Sequence, residues 1–131
     1  MKLSTKSHYG LNACYYLAAE YGGVGAGIPL KKLSAASGIS ESYLEQIISL
    51  LKKAGIVSAN RGAAGGYYLS RRPSEIVVGD IVRALEDNLE IVGCINNTDC
   101  AAGVNCKTKE VWERVYTAIN STLDQIKLSD L

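Results

Sequence analysis

Residues 37–70 read SGISESYLEQIISLLKKAGIVSANRGAAGGYYLS. Leu44, Ile47, Ile48 and Leu51 follow a 3, 4 rhythm, the apolar stripe of a helix. Ser40 or Ser42 can start that helix, and Gly55 ends it just after Lys53. Ser42, Glu45, Gln46 and Ser49 lie largely off the stripe. Ahead of it, residues 30–37 read as a short helix with Leu33 and Ala36 inward. Gly38 then supplies the positive φ of a tight turn, and Ile39 points back to the core. Behind it, residues 56–59 and 67–70 are short strand-like runs, with the basic, Gly-rich tip NRGAAGG between them. Such a tip predicts a β-hairpin wing. Short helix, glycine turn, helix and hairpin are the order of a winged helix-turn-helix.

Working outward, residues 4–21 read as a first helix. Ser4 or Thr5 can cap it, and Tyr9, Ala13, Tyr16 and Leu17 fall at helical spacing. YGGVGAGIP stops it. Beyond Pro73, a small helix is predicted from about Val78 to Asp87, and a long one from Lys107 to about Lys127. On the long helix Val111, Val115, Ala118, Ile119, Thr122 and Ile126 form one stripe, which Trp112, Tyr116 and Leu123 widen. That is more apolar surface than one face of a small domain needs, so a second copy is expected to pack on it. The expected fold class is mainly α with a small β-hairpin. Residues 1–75 form the winged helix-turn-helix, and residues 76–131 carry a cysteine-bearing loop and a long dimerisation helix.

Composition agrees with a packed chain. Of 131 residues, 47% are hydrophobic and 21% charged, so a core is possible and disorder is disfavoured. No apolar run is long enough to cross a membrane, and MKLSTKSHYG lacks the apolar stretch of a secretory signal. The expected location is cytoplasmic, where thiols stay reduced, so four cysteines argue for metal or redox chemistry over a disulfide framework. Residues 1–72 hold nine Lys/Arg against three acids, a net of +6. Residues 73–131 hold five against ten, a net of −5. A basic front half suits a polyanion.

Double-stranded DNA is the polyanion that the helix-turn-helix points to. The first residues of its second helix reach base edges in the major groove. Here those residues are Ser40, Ser42, Tyr43, Glu45 and Gln46. Gln can bond adenine bidentately, Glu can accept from cytosine, and Ser can do either. Lys52 and Lys53 at the helix end suit phosphates, as do Lys31 and Lys32 on the preceding helix. Arg61 at the wing tip suits a narrow, A·T-rich minor groove. No catalytic constellation or nucleotide loop is visible, so neither an enzyme nor a small-molecule substrate is expected.

The remaining motif is GCINNTDCAAGVNC, residues 93–106, with Cys94, Cys100 and Cys106 six residues apart. Thiolates at i, i+6 and i+12 cannot share one helix face, so a loop must wrap something. Structural zinc uses cysteine pairs two to four residues apart, and no such pair exists here. Iron–sulfur clusters accept looser spacing, and three cysteines leave one position open on a 2Fe–2S or 4Fe–4S centre. Cys14 stands apart, within a helix, as a small core hydrophobe.

MKLSTKSHYGLNA, the 37–70 block and the three-cysteine run together resemble the Rrf2 family of winged-helix transcription regulators, in its iron–sulfur-sensing branch. The resemblance covers nearly the whole chain. It implies a homodimer with crossing terminal helices, a pseudo-palindromic operator and a 2Fe–2S cluster in each subunit, which an oxygen-exposed preparation can lack. It further implies that Ser40, Glu45 and Arg61 read DNA and that Cys94, Cys100 and Cys106 hold the cluster. The function implied is repression of cluster-assembly genes. Alternatives are a nitric-oxide sensor of the same family, a cluster-free cysteine-metabolism repressor and, from another class, a small iron–sulfur redox protein. One position departs from the family pattern. Related chains carry a histidine three residues after the last cysteine, and this chain has Lys109. A protonated lysine has no lone pair to give iron. The resemblance to nitric-oxide-sensing members of the family, in which the residue at the matching N-terminal position of the partner subunit can ligate the cluster, implies His8, the only histidine, as the candidate replacement. Asp99, Glu110 and solvent-derived ligands are the other options.

Overall fold

The computed structural model describes residues 3–23, 26–62, 65–86 and 107–131. Cys94, Cys100 and Cys106 lie outside the described residues. Helices α1 (Thr5–Ala19), α2 (Leu30–Ser37) and α3 (Glu41–Lys53) are followed by strands β1 (Val57–Asn60) and β2 (Gly66–Leu69). A short 3-10 turn at Pro73–Glu75 leads to α4 (Val78–Leu85), and α5 (Lys109–Gln125) comes last, with a 3-10 turn at Leu128–Asp130. The class is mainly helical with one hairpin, a winged helix-turn-helix extended by a long terminal helix.

The 37–70 block folds for the reasons its spacing implies. Leu44, Ile47, Ile48 and Leu51 are all buried. Gly38 has φ 72°, a left-handed conformation that costs a residue with a Cβ about 1–2 kcal/mol. Around it, the Gly38 amide and the Ser34 hydroxyl donate to Ser34 O at 2.9 Å and Ile39 O at 2.5 Å respectively, and Ile39 is buried. Leu33 is buried as expected, but Ala36 is exposed, because an eight-residue helix has too short a buried face to include it.

β1 and β2 pair antiparallel with Val57 opposite Leu69 and Asn60 opposite Gly66, one residue off the expected strand limits. The hairpin gains a third edge that periodicity did not reveal. Ile28 and Tyr67 exchange both backbone hydrogen bonds at 2.8 Å, so the segment after α1 pairs with β2. Gly66 makes this approach possible, since a Cβ there would lie 2.3 Å from the Ile28 carbonyl carbon.

One core crosses the chain. Ala13, Cys14 and Leu17 of α1, the α3 stripe, Ile76, Ile81, Leu85 and Leu128 share it. Burial pushes the Cys14 thiol up to about 12, which keeps it a neutral core group. The segments flanking α4 and α5 pair as well. The Val78 amide donates to Ile126 O and the Leu128 amide to Ile76 O, each at 2.8 Å, which ties the end of α5 to the start of α4.

The start of α1 is held differently from the expected serine cap. Ser4 occupies the N-cap position, yet its side chain makes no capping bond. Instead Glu86, just past α4, takes the Ser4 amide at 2.6 Å and the buried Ser7 hydroxyl at 2.7 Å on one carboxylate oxygen. Burial opposes the Glu86 charge, but the bonds from Ser7 and Ser4 and the nearby Lys6 outweigh it and hold the carboxyl below its usual range. A carboxylate depressed on folding stabilises fully above its ordinary pKa, and that contribution disappears as pH falls through the folded value. Glu86→Gln is therefore expected to lower stability at neutral pH and to flatten its decline on acidification. Urea melts at pH 7 and at stepwise lower pH check this; parallel decline in both proteins refutes it.

Candidate nucleic-acid interface

The residues opposite the α3 stripe make one polar surface. Ser40 is the N-cap, and its hydroxyl accepts the Tyr43 amide at 3.3 Å, which satisfies one of the unpaired amides of the first turn. Ser40, Ser42, Glu45 and Gln46 are exposed on that turn and the next. Among the described residues Glu45 makes no ion pair, so its carboxylate remains available to a base edge.

Tyr43 is placed otherwise. It is half-buried against the core, with its ring edge-on to Tyr9 at 5.9 Å between centroids. It props α3 on α1 while staying partly exposed among its polar neighbours.

A shallow cleft lined by Glu45, Ile48, Ser49, Lys52, Lys53 and Tyr67 runs between α3 and the wing. Lys52 and Lys53 also close the negative end of the α3 dipole, so their position has a local structural role too. Lys31 and Lys32 are exposed on α2, and Lys32 meets Glu20 at 3.8 Å. That pair is solvent-exposed and worth little, so a phosphate can displace the acid. Arg61 is exposed just past β1, beside Gly62 with φ 99°.

His8 is exposed in the first turns of α1, its ring tilted against Tyr9 at 5.4 Å. Lys109 lies at the start of α5 with its ammonium 3.8 Å from Glu113, a charged group in an ion pair, unsuited to iron. Among the described residues no group of three His, Cys, Asp or Glu side chains is arranged to hold a metal, and no helix is long and apolar enough to cross a membrane.

Known proteins identify this arrangement. The family model described as "Rrf2: Iron-dependent Transcriptional regulator" matches residues 3–131. The chain belongs to the Rrf2 family. Among Rrf2 relatives, the regulator IscR of Aliivibrio salmonicida is 39% identical over the whole chain and 77% of its own length. The regulator CymR of Bacillus subtilis is 38% identical over the whole chain and 89% of its own length. The solved structure titled "T. potens IscR" is 43% identical and superposes with a TM-score of 0.76, covering 99% of this chain and 85% of that one. The structure of B. subtilis CymR, titled "the Global Cysteine Regulator", is 37% identical with a TM-score of 0.80, covering 99% and 95%. The protein is thus an Rrf2-family transcriptional regulator.

Phosphate-facing and base-facing residues are expected to separate in binding assays. Lys52→Ala with Lys53→Ala should weaken all duplexes alike and reduce the salt slope of log K by about 0.9 per lost phosphate contact. Glu45→Ala should instead change which duplex is preferred, with a discrimination loss of about 1–3 kcal/mol at one base pair. Salt titrations by fluorescence anisotropy measure both. An unchanged slope in the lysine variant would remove those residues from the phosphate contacts.

Proposed function

We propose that the chain is a homodimeric, cytoplasmic repressor that senses an iron–sulfur cluster, with control of cluster-assembly genes as its task. In this reading residues 1–75 bind DNA, and residues 76–131 hold the cluster and pair the subunits. The observation that carries the sensing half is the trio Cys94, Cys100 and Cys106, with no second cysteine set and Cys14 buried out of reach. Three soft thiolates suit iron and leave one position for a weaker ligand. When bound, a 2Fe–2S centre would supply a redox- and oxygen-sensitive charge beside the DNA-binding unit. The protein's own part is to hold it with three thiolates and a fourth group, and to let the segment's state bias the DNA-competent form.

Two features support His8 over Lys109 as that fourth group. Lys109 is charged and engaged with Glu113. His8 is exposed, and it follows Ser7, which Glu86 grips immediately before the cysteine segment begins. A His8 from the partner subunit remains the proposal, and Asp99, Glu110 or a solvent-derived group are its competitors.

Pairing through α5 is supported by its surface. Tyr116 and Leu123 turn inward onto Val78 and Val82, while Val111, Val115 and Ile126 of the apolar stripe stay exposed. Two copies would present two recognition helices and two wings to half-sites about one helical turn apart.

The competing reading is a cluster-free cysteine regulator, favoured by the 38% identity to CymR. Anaerobic purification followed by absorption and Mössbauer spectroscopy separates the two. The expected result is a cluster that Cys100→Ala abolishes and whose lifetime His8→Ala shortens. A colourless, iron-free protein would establish the cluster-free reading. A His8→Ala protein with unchanged spectrum and lifetime would exclude His8 alone. Val115→Glu is expected to raise the dimer dissociation constant at least tenfold in sedimentation equilibrium.

A further inference from the structure

The contact between α4 and α5 has features that neither DNA reading nor cluster holding uses. α5 has no fully buried residue, and its apolar contact with α4 among the described residues is confined to Tyr116 and Leu123 resting on Val78 and Val82, so polar contacts near its end share in setting its tilt. Its end is tied to the body by the backbone bonds at Ile126 and Leu128. Just before that tie, Asp124 pairs with Arg83 of α4. Arg83 also faces Asp80 at 3.8 Å, and Asp80 faces Arg71, on the exit from the wing, at 3.9 Å. Gly79 leaves room for the tips of the Arg83–Asp124 pair, flexible side-chain ends that an added Cβ would displace. A Cβ at Gly79 would lie 2.2 Å from the Asp124 carboxylate and within 2.9 Å of both Arg83 guanidinium nitrogens.

We propose that Gly79, Arg83 and Asp124 are positioning residues that set the tilt of α5 against the winged helix, and so the half-site spacing the dimer accepts. The proposal rests on the reading of the protein as a DNA-binding dimer paired through α5. Arg83 and Asp124 are each more than a third exposed, so the ion pair acts through geometry more than through stability. Leverage makes that geometry matter. α5 has 17 residues, about 25 Å of helix, so a tilt of about 10° at the tied end moves the other end by about 4 Å. That exceeds one base-pair step, about 3.4 Å along the duplex.

The test uses the full chain and duplexes selected from a random pool by the wild-type protein. These are then resynthesised with their half-sites one or two base pairs closer or farther apart. Asp124→Asn removes the charge without changing size. Gly79→Ala displaces the same pair while favouring the α4 helix, so the two variants share a lost contact but not a stability change. The wild type is expected to lose at least tenfold in affinity for a one-base-pair change. Both variants are expected to lose less than threefold, with single half-site affinity and dimer dissociation constant unchanged. A profile as sharp as the wild type's in both variants, or a uniform loss at every spacing, would overturn the proposal alone. A wild-type chain that selects no paired half-sites would overturn the dimeric DNA-binding reading and the proposal with it.

Discussion

Burial of α4 on two sides holds the rest of the molecule in one body. Ile81 and Leu85 enter the core that α1 and α3 build, while Val78 and Val82 face Leu11, Tyr116 and Leu123. Each such side chain contributes roughly 1.5–3 kcal/mol when fully buried. The fit against α1 is close, since a Cβ at Gly10 would lie 2.1 Å from a Leu85 methyl. Without α4, the recognition helix would lose its rear support and α5 would have nothing to lie on. The polar interactions then refine what burial fixes. Glu86 holds the start of α1, and the Arg71–Asp80–Arg83–Asp124 chain joins the wing exit to α5.

The charge segregation has a structural counterpart. The basic excess of the first 72 residues is displayed on α2, α3 and the wing. Lys31, Lys52, Lys53 and Arg61 are exposed there, and none of them is in an ion pair among the described residues. Several acids of the second half are engaged locally: Asp80 and Asp124 with arginines, Glu113 with Lys109, Glu86 with α1. These four unpaired cations outnumber the unpaired acids Glu41 and Glu45 on α3, a net positive balance that suits the steering of a polyanion.

Local signals made much of this legible in the sequence. The 3, 4 rhythm of α3, the glycine at position 38 and the two strands flanking the Gly-rich run each depend on residues a few places apart, and each folds close to what its spacing implies. Long-range pairings were not legible. Nothing in the run around Ser4 says that its amide is taken by a carboxylate 82 positions away. Periodicity also gives the direction of a side chain without naming its neighbour. Tyr43 faces Tyr9 as well as the helix surface, and Tyr116 and Leu123, assigned to widen the α5 stripe, turn onto Val78 and Val82. The exposed polar set on α3 was recoverable because exposure there is the complement of the apolar stripe. Glu86 and Asp124 were not, because only the tertiary fold gives them partners.

The same short helix also joins the proposed sensing and reading parts. α4 has eight residues, about 12 Å of rigid rod. Its far end runs into Glu86 and then the cysteine segment, its near end carries Gly79, and Arg83 in its last turn reaches Asp124 of α5. A short buried helix transmits displacement poorly by bending and well by moving as a unit, because its packed neighbours allow discrete arrangements rather than continuous ones. A change in the segment that loosens Glu86 from Ser4 and Ser7 would free one end of α4 and the start of α1 together. The recognition helix rests on both. In the proposed sensing reading no long relay would be needed, because Glu86 touches the start of α1 directly.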